Sequence, residues 1–218
     1  RQALLQAHMN EYAGEVNFHL QRFQLRPYEY LDSLGVLSDR FIGAHSIILS
    51  EHEKALLRDR DVKVCHCPFS NCGKGIPDTP SLLEQGICVG LGTGLSLWNE
   101  MKIFRSVMNA KHGVAQGNPS IMPAKQILSM ATRDGYRLMK EDGGVIAAGK
   151  KADFITINLR QPHLYPTGNL VNTLLECVTA ADVCDAAVDG QLLMKNREVL
   201  TLDEERILAD AERYMNTL

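Results

Sequence analysis

Ala3-Leu4-Leu5-Gln6-Ala7-His8-Met9-Asn10-Glu11 is an apolar run that ends on a histidine, with a carboxylate three residues further on. Three more runs end on polar or small residues in the same manner: one at Ala44-His45, one at Cys65-His66-Cys67, and Ile87-Cys88-Val89-Gly90-Leu91 at Gly92-Thr93. Read as strands, they cover 3–8, 40–45, 62–67 and 87–92. Helical patterns separate them, and this alternation predicts βαβ units and a parallel sheet. In a parallel barrel, side chains at the carboxyl ends of the strands converge on one mouth, where the chemistry of such barrels sits. Imidazole at that mouth suits zinc or iron, and a nearby carboxylate can move protons to and from water. A lone His-x-x-Glu is usually surface decoration. Its place in an ordered series of strand ends is what gives it weight.

The helices between these strands are marked at their starts. Ser50-Glu51-His52-Glu53 is a capping box ahead of Ala55, Leu56 and Leu57. Thr79-Pro80 puts a cap residue before a proline suited to the first turn. From Trp98 to Lys111, Met101, Phe104, Val107 and Met108 recur at helical spacing, and Pro123 opens a helix carrying Ile127, Leu128, Ala131 and Leu138. At Gly143-Gly144 the pattern changes to short β-like runs at 144–147, 153–157, 184–188 and 191–194, with Asp189-Gly190 as a tight-hairpin signal between the last two. Leu159 to Asn169 reads as a flexible connection. Thr201-Leu202-Asp203-Glu204 caps a final helix with Ile207, Leu208, Ala211, Tyr214 and Met215 on one face. The organisation expected is therefore half a barrel over 1–142, part of a small β-sandwich over 143–200, and a C-terminal helix over 201–218.

Composition narrows the class. A hydrophobic content of 45% supports a real core, and a net charge of −3 with no basic block argues against a nucleic-acid partner. No apolar run is long enough for a membrane span, so no membrane partner is expected. The six cysteines, at 65, 67, 72, 88, 177 and 184, show no C-x-x-C spacing and read as buried thiols in a reducing cytoplasm. Gly144 to Lys151 nearly spells a phosphate-binding loop, but Lys151 stands where a magnesium-holding Ser or Thr is needed. Trp98 reads as a core or interface residue. Four strands cannot close a barrel, and an open parallel edge exposes unpaired backbone groups. With Arg1 starting in mid-strand, the reading expects four more strands from residues not shown or from another polypeptide. It also expects a native polypeptide about twice this length, since such barrels take about 250 residues.

Several stretches together carry a family resemblance: His8-Met9-Asn10-Glu11, Arg26-Pro27-Tyr28-Glu29-Tyr30-Leu31, Ala44-His45, His66-Cys67-Pro68-Phe69-Ser70-Asn71, Gly90-Leu91-Gly92-Thr93, Ala131-Thr132, Gly149-Lys150-Lys151-Ala152-Asp153 and Leu200 to Glu205. In this order they resemble the C-terminal half of the amidohydrolase superfamily. The branch is that of guanine deaminase, S-adenosylhomocysteine/methylthioadenosine deaminase and the triazine chlorohydrolases. The resemblance implies an α/β fold: the C-terminal half of a TIM-type barrel, then part of a small β-sandwich and a C-terminal helix. It implies one divalent metal, zinc foremost and iron second, which this stretch alone need not retain, and a small heterocyclic substrate. His8 matches the strand-five metal ligand. Glu11 matches the residue that takes a proton from the attacking water and passes it to the ring and the leaving group. His45 matches the strand-six histidine that faces the attacked carbon, and Glu11 and His45 both contact substrate. His66 matches a strand-seven residue that builds the barrel wall, and Ser70-Asn71 fix the following loop. A homo-oligomer is compatible with the same pattern.

Two departures matter. The family has an aspartate straight after the strand-eight Gly-Thr, whereas Gly94 follows Thr93 here, and Leu95 to Met101 fits only after a few positions are skipped. The expectation is that the native protein has an aspartate directly after Thr93. The strand-one His-x-His is also missing from the histidines at 8, 19, 45, 52, 66, 112 and 163. Three protein ligands plus water is the usual minimum for a catalytic metal. The activity implied is hydrolytic deamination of a purine- or pyrimidine-like ring. The alternatives are dechlorination or another C–N hydrolysis on the same scaffold, or a non-catalytic subunit or fragment.

Overall fold

The computed structural model describes residues 3–93 and 96–217. Four strands, β1 (Leu5–Met9), β2 (Phe41–His45), β3 (Lys63–His66) and β4 (Val89–Leu91), form one sheet in the order β1-β2-β3-β4, all pairs parallel. The crossovers are helical. α1 (Ala13–Phe23) and α2 (Pro27–Ser33) follow β1, α3 (Glu51–Asp59) follows β2, and α4 (Pro68–Asn71) and α5 (Thr79–Glu84) follow β3. After β4 come α6 (Leu97–Met108), a π-turn at Asn109–Gly113, α7 (Val114–Gln116), α8 (Ala124–Ala131) and α9 (Arg133–Leu138). No helix among the described residues is long and apolar enough to cross a membrane.

Period-two alternation decides what each face of this sheet meets. Phe41, Val64 and Val89 join Tyr28, Leu57, Leu82, Phe104 and Ile127 in the main core, between the sheet and its helices. Ile42, Cys88 and Leu138 form a second cluster with Leu4 and Cys65. Trp98 packs against the main core, as read from the sequence. The helix face comes close enough to demand a glycine. A Cβ on Gly43 would lie 1.7 Å from the Tyr28 hydroxyl, and Tyr28 is fully buried. Gly43→Ala is therefore expected to cost about 1–3 kcal/mol or more through overpacking. A urea midpoint matching the unsubstituted protein would show that Tyr28 can move aside.

A second, antiparallel sheet has the order β5-β6-β7-β8: β5 (Phe154–Ile157), β6 (Val183–Val188), β7 (Gln191–Lys195) and β8 (Glu198–Val199). Its central hairpin turns at Asp189 and Gly190, with φ of 51° and 77°, the left-handed pair a two-residue turn needs. α10 (Leu170–Glu176) packs back toward α8 and α6, and α11 (Glu204–Met215) ends the chain.

Some sequence expectations are corrected. Residues 144–147 form no strand. Gly144 turns at φ 72° against the backbone of Thr132 and Arg133, and Ile146 is 92% exposed. The helix read from Pro123 onward is two helices, broken at Thr132, where φ −129° and ψ −96° leave the helical region. The 159–169 connection is anchored by buried Leu164 within a short 3-10 turn, Pro162–Leu164. Asp203, not Thr201, caps α11, accepting from the Arg206 amide at 2.9 Å. The apolar face of α11 is exposed at Ile207, Leu208, Tyr214 and Met215. Of the six cysteines, only Cys88 is fully buried, while Cys72 and Cys177 are exposed.

Candidate active site

The carboxyl ends of β1 and β2 lie side by side, His8 pairing with Ala44 and Met9 with His45. Beyond them the backbone takes a conformation that L-residues rarely adopt. Asn10, His45 and Ser46 have φ of 48°, 70° and 49°. Such residues persist only where their surroundings over-determine them, and they gather at functional sites. Here the surroundings are hydrogen bonds. Asn10 O accepts from the Ile47 and Ile48 amides, each at 3.1 Å, and Met9 O accepts from the Ser46 amide at 2.9 Å. The Asn10 side chain donates to Ile48 O at 2.9 Å and to Glu53 Oε1 at 2.8 Å. Tyr28 and Ser46 join hydroxyls at 2.7 Å.

Glu53 is the hub. Its side chain is fully buried, and its carboxylate accepts from Asn10, from Arg26 Nε at 2.6 Å and from the Ser50 amide at 2.9 Å. The Ser50–Glu53 capping box was legible in the sequence. That its glutamate also grips the turn after β1 was not.

This frame brings His8, Glu11 and His45 together. Their nearest ligand atoms all lie within 4.8 Å of one another. His45 Nε2 is 3.3 Å from Glu11 Oε1, His8 Nδ1 is 3.9 Å from Glu11 Oε2, and the two imidazoles meet edge-on at 4.8 Å between centroids. His8 is largely exposed and His45 is buried. Lys74, which sequence reading passed over, ion-pairs with Glu11 and donates to Ser70 Oγ at 3.1 Å. Burial opposes ionisation of Glu11, but Lys74, His45 and His8 outweigh it and hold the carboxyl below its ordinary range. Glu11 is thus ionised at neutral pH. Nothing in the sequence flagged Lys74, because its partner lies 63 residues away.

His66 stands apart from this cluster. It is buried against Phe104, ring centroids 5.2 Å apart, as a wall residue. Asn71 joins it to His45, with Oδ1 at 2.7 Å from His45 Nδ1 and Nδ2 at 2.7 Å from His66 Nδ1. Burial, with His45 adding repulsion, pushes the His66 imidazole down from 6.5 to about 3. The folded chain therefore stays neutral at this residue where the unfolded chain takes up a proton. Stability from His66 is complete above the unfolded value and falls as pH drops toward the folded one. Between pH 7 and 5 the expected loss is about 2 kcal/mol. Urea midpoints at both pH values would show it, and a His66→Gln protein should lose less. Equal losses would exclude His66 as the source.

An apolar groove of about 590 Å³ lies elsewhere, lined by Tyr136, Val145, Phe154, Leu174 and Val188 among others. Its one ionised side chain, Asp153, is already held by the Tyr136 hydroxyl. The convergent titratable groups are at the strand ends, and size does not outweigh them. Gly94 and Leu95, at the place where an aspartate is expected directly after Thr93, lie outside the described residues.

Two imidazoles and a carboxylate within reach of one point are a donor set for a divalent ion such as zinc. Asn71 on His45 Nδ1 is an outer partner of the kind that fixes an imidazole's orientation. The residues present therefore fit a metal. Parallel strands with such a set at adjacent carboxyl ends are the arrangement that α/β barrel enzymes use at their mouths.

The comparisons agree. The amidohydrolase family profile matches residues 1–192, and the chain belongs to the amidohydrolase family. It is 34% identical to a 5'-deoxyadenosine deaminase of Methanosarcina acetivorans over 95% of this chain and 49% of that protein. It is 33% identical to a 5-methylthioadenosine/S-adenosylhomocysteine deaminase of Dictyoglomus thermophilum over 96% of this chain and 50% of that one. Among solved structures, a zinc-bound adenosine deaminase from Xanthomonas campestris superposes with TM-score 0.90 at 26% identity, over 98% of this chain and 50% of the other. A zinc complex of an atrazine chlorohydrolase from Arthrobacter aurescens gives 0.84 at 25% identity, over 97% and 48%. The chain spans about half the length of the curated relatives it matches. Its α/β architecture is that of half an amidohydrolase barrel with the sheet that follows it.

Proposed function

We propose that the intact protein is a metal-dependent aminohydrolase that removes an exocyclic amine, as ammonia, from a purine- or pyrimidine-like ring. The observation that carries this reading is the meeting of His8, Glu11 and His45 at the carboxyl ends of β1 and β2. The two relatives in sequence named above, a 5'-deoxyadenosine deaminase and a 5-methylthioadenosine/S-adenosylhomocysteine deaminase, favour an amine over chloride as the leaving group. The complementary strands of the barrel would come from the rest of the protein, and His8, exposed on β1, would face them.

A divalent ion, zinc foremost, held with His8 as a ligand would make a water acidic enough to attack at neutral pH. Glu11, ionised, takes a proton from the attacking water as its oxygen bonds to the amine-bearing ring carbon. The same carboxyl passes that proton to the ring nitrogen, then takes the remaining proton from the added hydroxyl and gives it to the departing amine. The C–N bond breaks, ammonia leaves, and a carbonyl remains. Lys74 holds the Glu11 carboxylate in place between these transfers. His45 directs Nε2 at the mouth and orients the water or the ring for attack.

His8→Ala is expected to lose metal and turnover together. Metal analysis of the purified protein beside ammonia release from adenine nucleosides tests this. Native metal content in the variant would remove His8 from the ligand set.

A further inference from the structure

Asn71 ends α4 with its side chain buried, and its amide spans two imidazoles. An amide offers an acceptor on one side and donors on the other, so the rings it joins must take opposite roles. With Oδ1 at 2.7 Å, the His45 Nδ1 carries a proton. With Nδ2 at 2.7 Å, the His66 Nδ1 is a bare acceptor. In the singly protonated ring Nε2 is then a lone pair, and Nε2 is the atom that faces Glu11.

We propose that Asn71 and His66 are positioning residues: His66 sets which way the Asn71 amide faces, and Asn71 holds His45 in the Nδ1–H tautomer with a free Nε2 lone pair at the mouth. The distances favour this arrangement over its reverse. With the amide turned over, His45 would point an Nε2–H toward Glu11, and that separation is 3.3 Å. Charge-assisted N–H to carboxylate bonds run about 2.7–2.9 Å. The short contact is at Nδ1 instead, and Glu11 Oε1 already has Lys74.

His66 suits the task because it stays neutral. It is 1% exposed, beside Phe104, and its Nε2 has no partner among the described residues. An unsatisfied buried nitrogen has a cost that an apolar residue would avoid. What an apolar residue could not do is accept from Asn71, and without that bond the amide is free to turn over. The inference deepens the proposed reaction and rests on it only for the kinetic part of its test.

The test is the ring-proton position of His45 in the intact, zinc-loaded protein. Histidine is labelled with nitrogen-15 and read by long-range proton–nitrogen correlation, His45 being assigned by its absence in His45→Gln. The expected result is a protonated Nδ1 and a bare Nε2 on His45, with the reverse on His66. Asn71→Leu should mix the His45 tautomers and lower kcat by about tenfold to a hundredfold, the usual scale for such outer partners. KM should move far less. Asn71→Asp keeps the acceptor and should restore the tautomer and most of the lost turnover. A proton on Nε2 of His45 in the native protein overturns the proposal, as does an unchanged tautomer in Asn71→Leu. Failure of the deaminase reading would show instead as no ammonia release by the native protein, and the ring assignments would stand regardless.

Discussion

Glu11→Gln is expected to keep its metal and lose turnover by a hundredfold or more, the lower end of what a positioned acid–base group contributes. Glutamine is close to glutamate in shape, so the turn after β1 should persist, but an amide cannot take the proton of the attacking water. The Lys74 ammonium would lose its ionised partner as well. Single-turnover ammonia release with metal analysis on the same sample separates the two effects. Wild-type turnover in a metal-replete Glu11→Gln protein would take Glu11 out of the mechanism. A loss of metal along with activity would instead place Glu11 among the ligands, which the geometry also permits, since its oxygens share the 4.8 Å cluster with both imidazoles.

Glu53→Ala is expected to be the most destabilising single change near the site, at about 3–5 kcal/mol, the usual cost of removing one partner of a buried ion pair. Four donors lose the Glu53 carboxylate at once: Arg26 Nε, the Asn10 side-chain amide and the Ser50 and Tyr28 backbone N–H groups. The Arg26 guanidinium retains its bond to Ile48 O, at 2.6 Å. Asn10 precedes Glu11 in a left-handed turn, so loss of its anchor should also blur the position of the carboxylate. Urea unfolding of the intact protein measures the first effect and kcat at saturating metal the second. A loss below about 1 kcal/mol would mean that water replaces the carboxylate, which its complete burial argues against.

The site was legible where chemistry coincides with local pattern. His8 and Glu11 are three residues apart at one strand end, and His45 ends the next strand, so an ordered reading of apolar runs finds all three. In the structure their ligand atoms lie within 4.8 Å of one another. Lys74, Asn71 and Glu53 were not legible as parts of the site. Each acts across a crossover, 63, 26 and 43 residues from the partner that gives it meaning. Their local context, a loop, a short helix and a capping box, supplies ordinary reasons for such residues. Runs in the second half misled where periodicity is brief. Val145-Ile146-Ala147 has strand composition, but a left-handed glycine and a turn flank it, and no ladder partner is present among the described residues.

The amino-acid sequence by itself determined the parallel βαβ order, the strand ends, the hairpin at Asp189-Gly190 and the family. These rest on local periodicity, turn chemistry and motif order, which the chain carries without folding. Only the tertiary structure decided the left-handed turns at Asn10, His45 and Ser46, the Glu53 hub, the Lys74–Glu11 pair and the bond from His66 through Asn71 to His45. Each of these depends on the distance between groups far apart in the chain. A buried carboxylate or imidazole acquires its partner, charge and tautomer only when packing brings the two together.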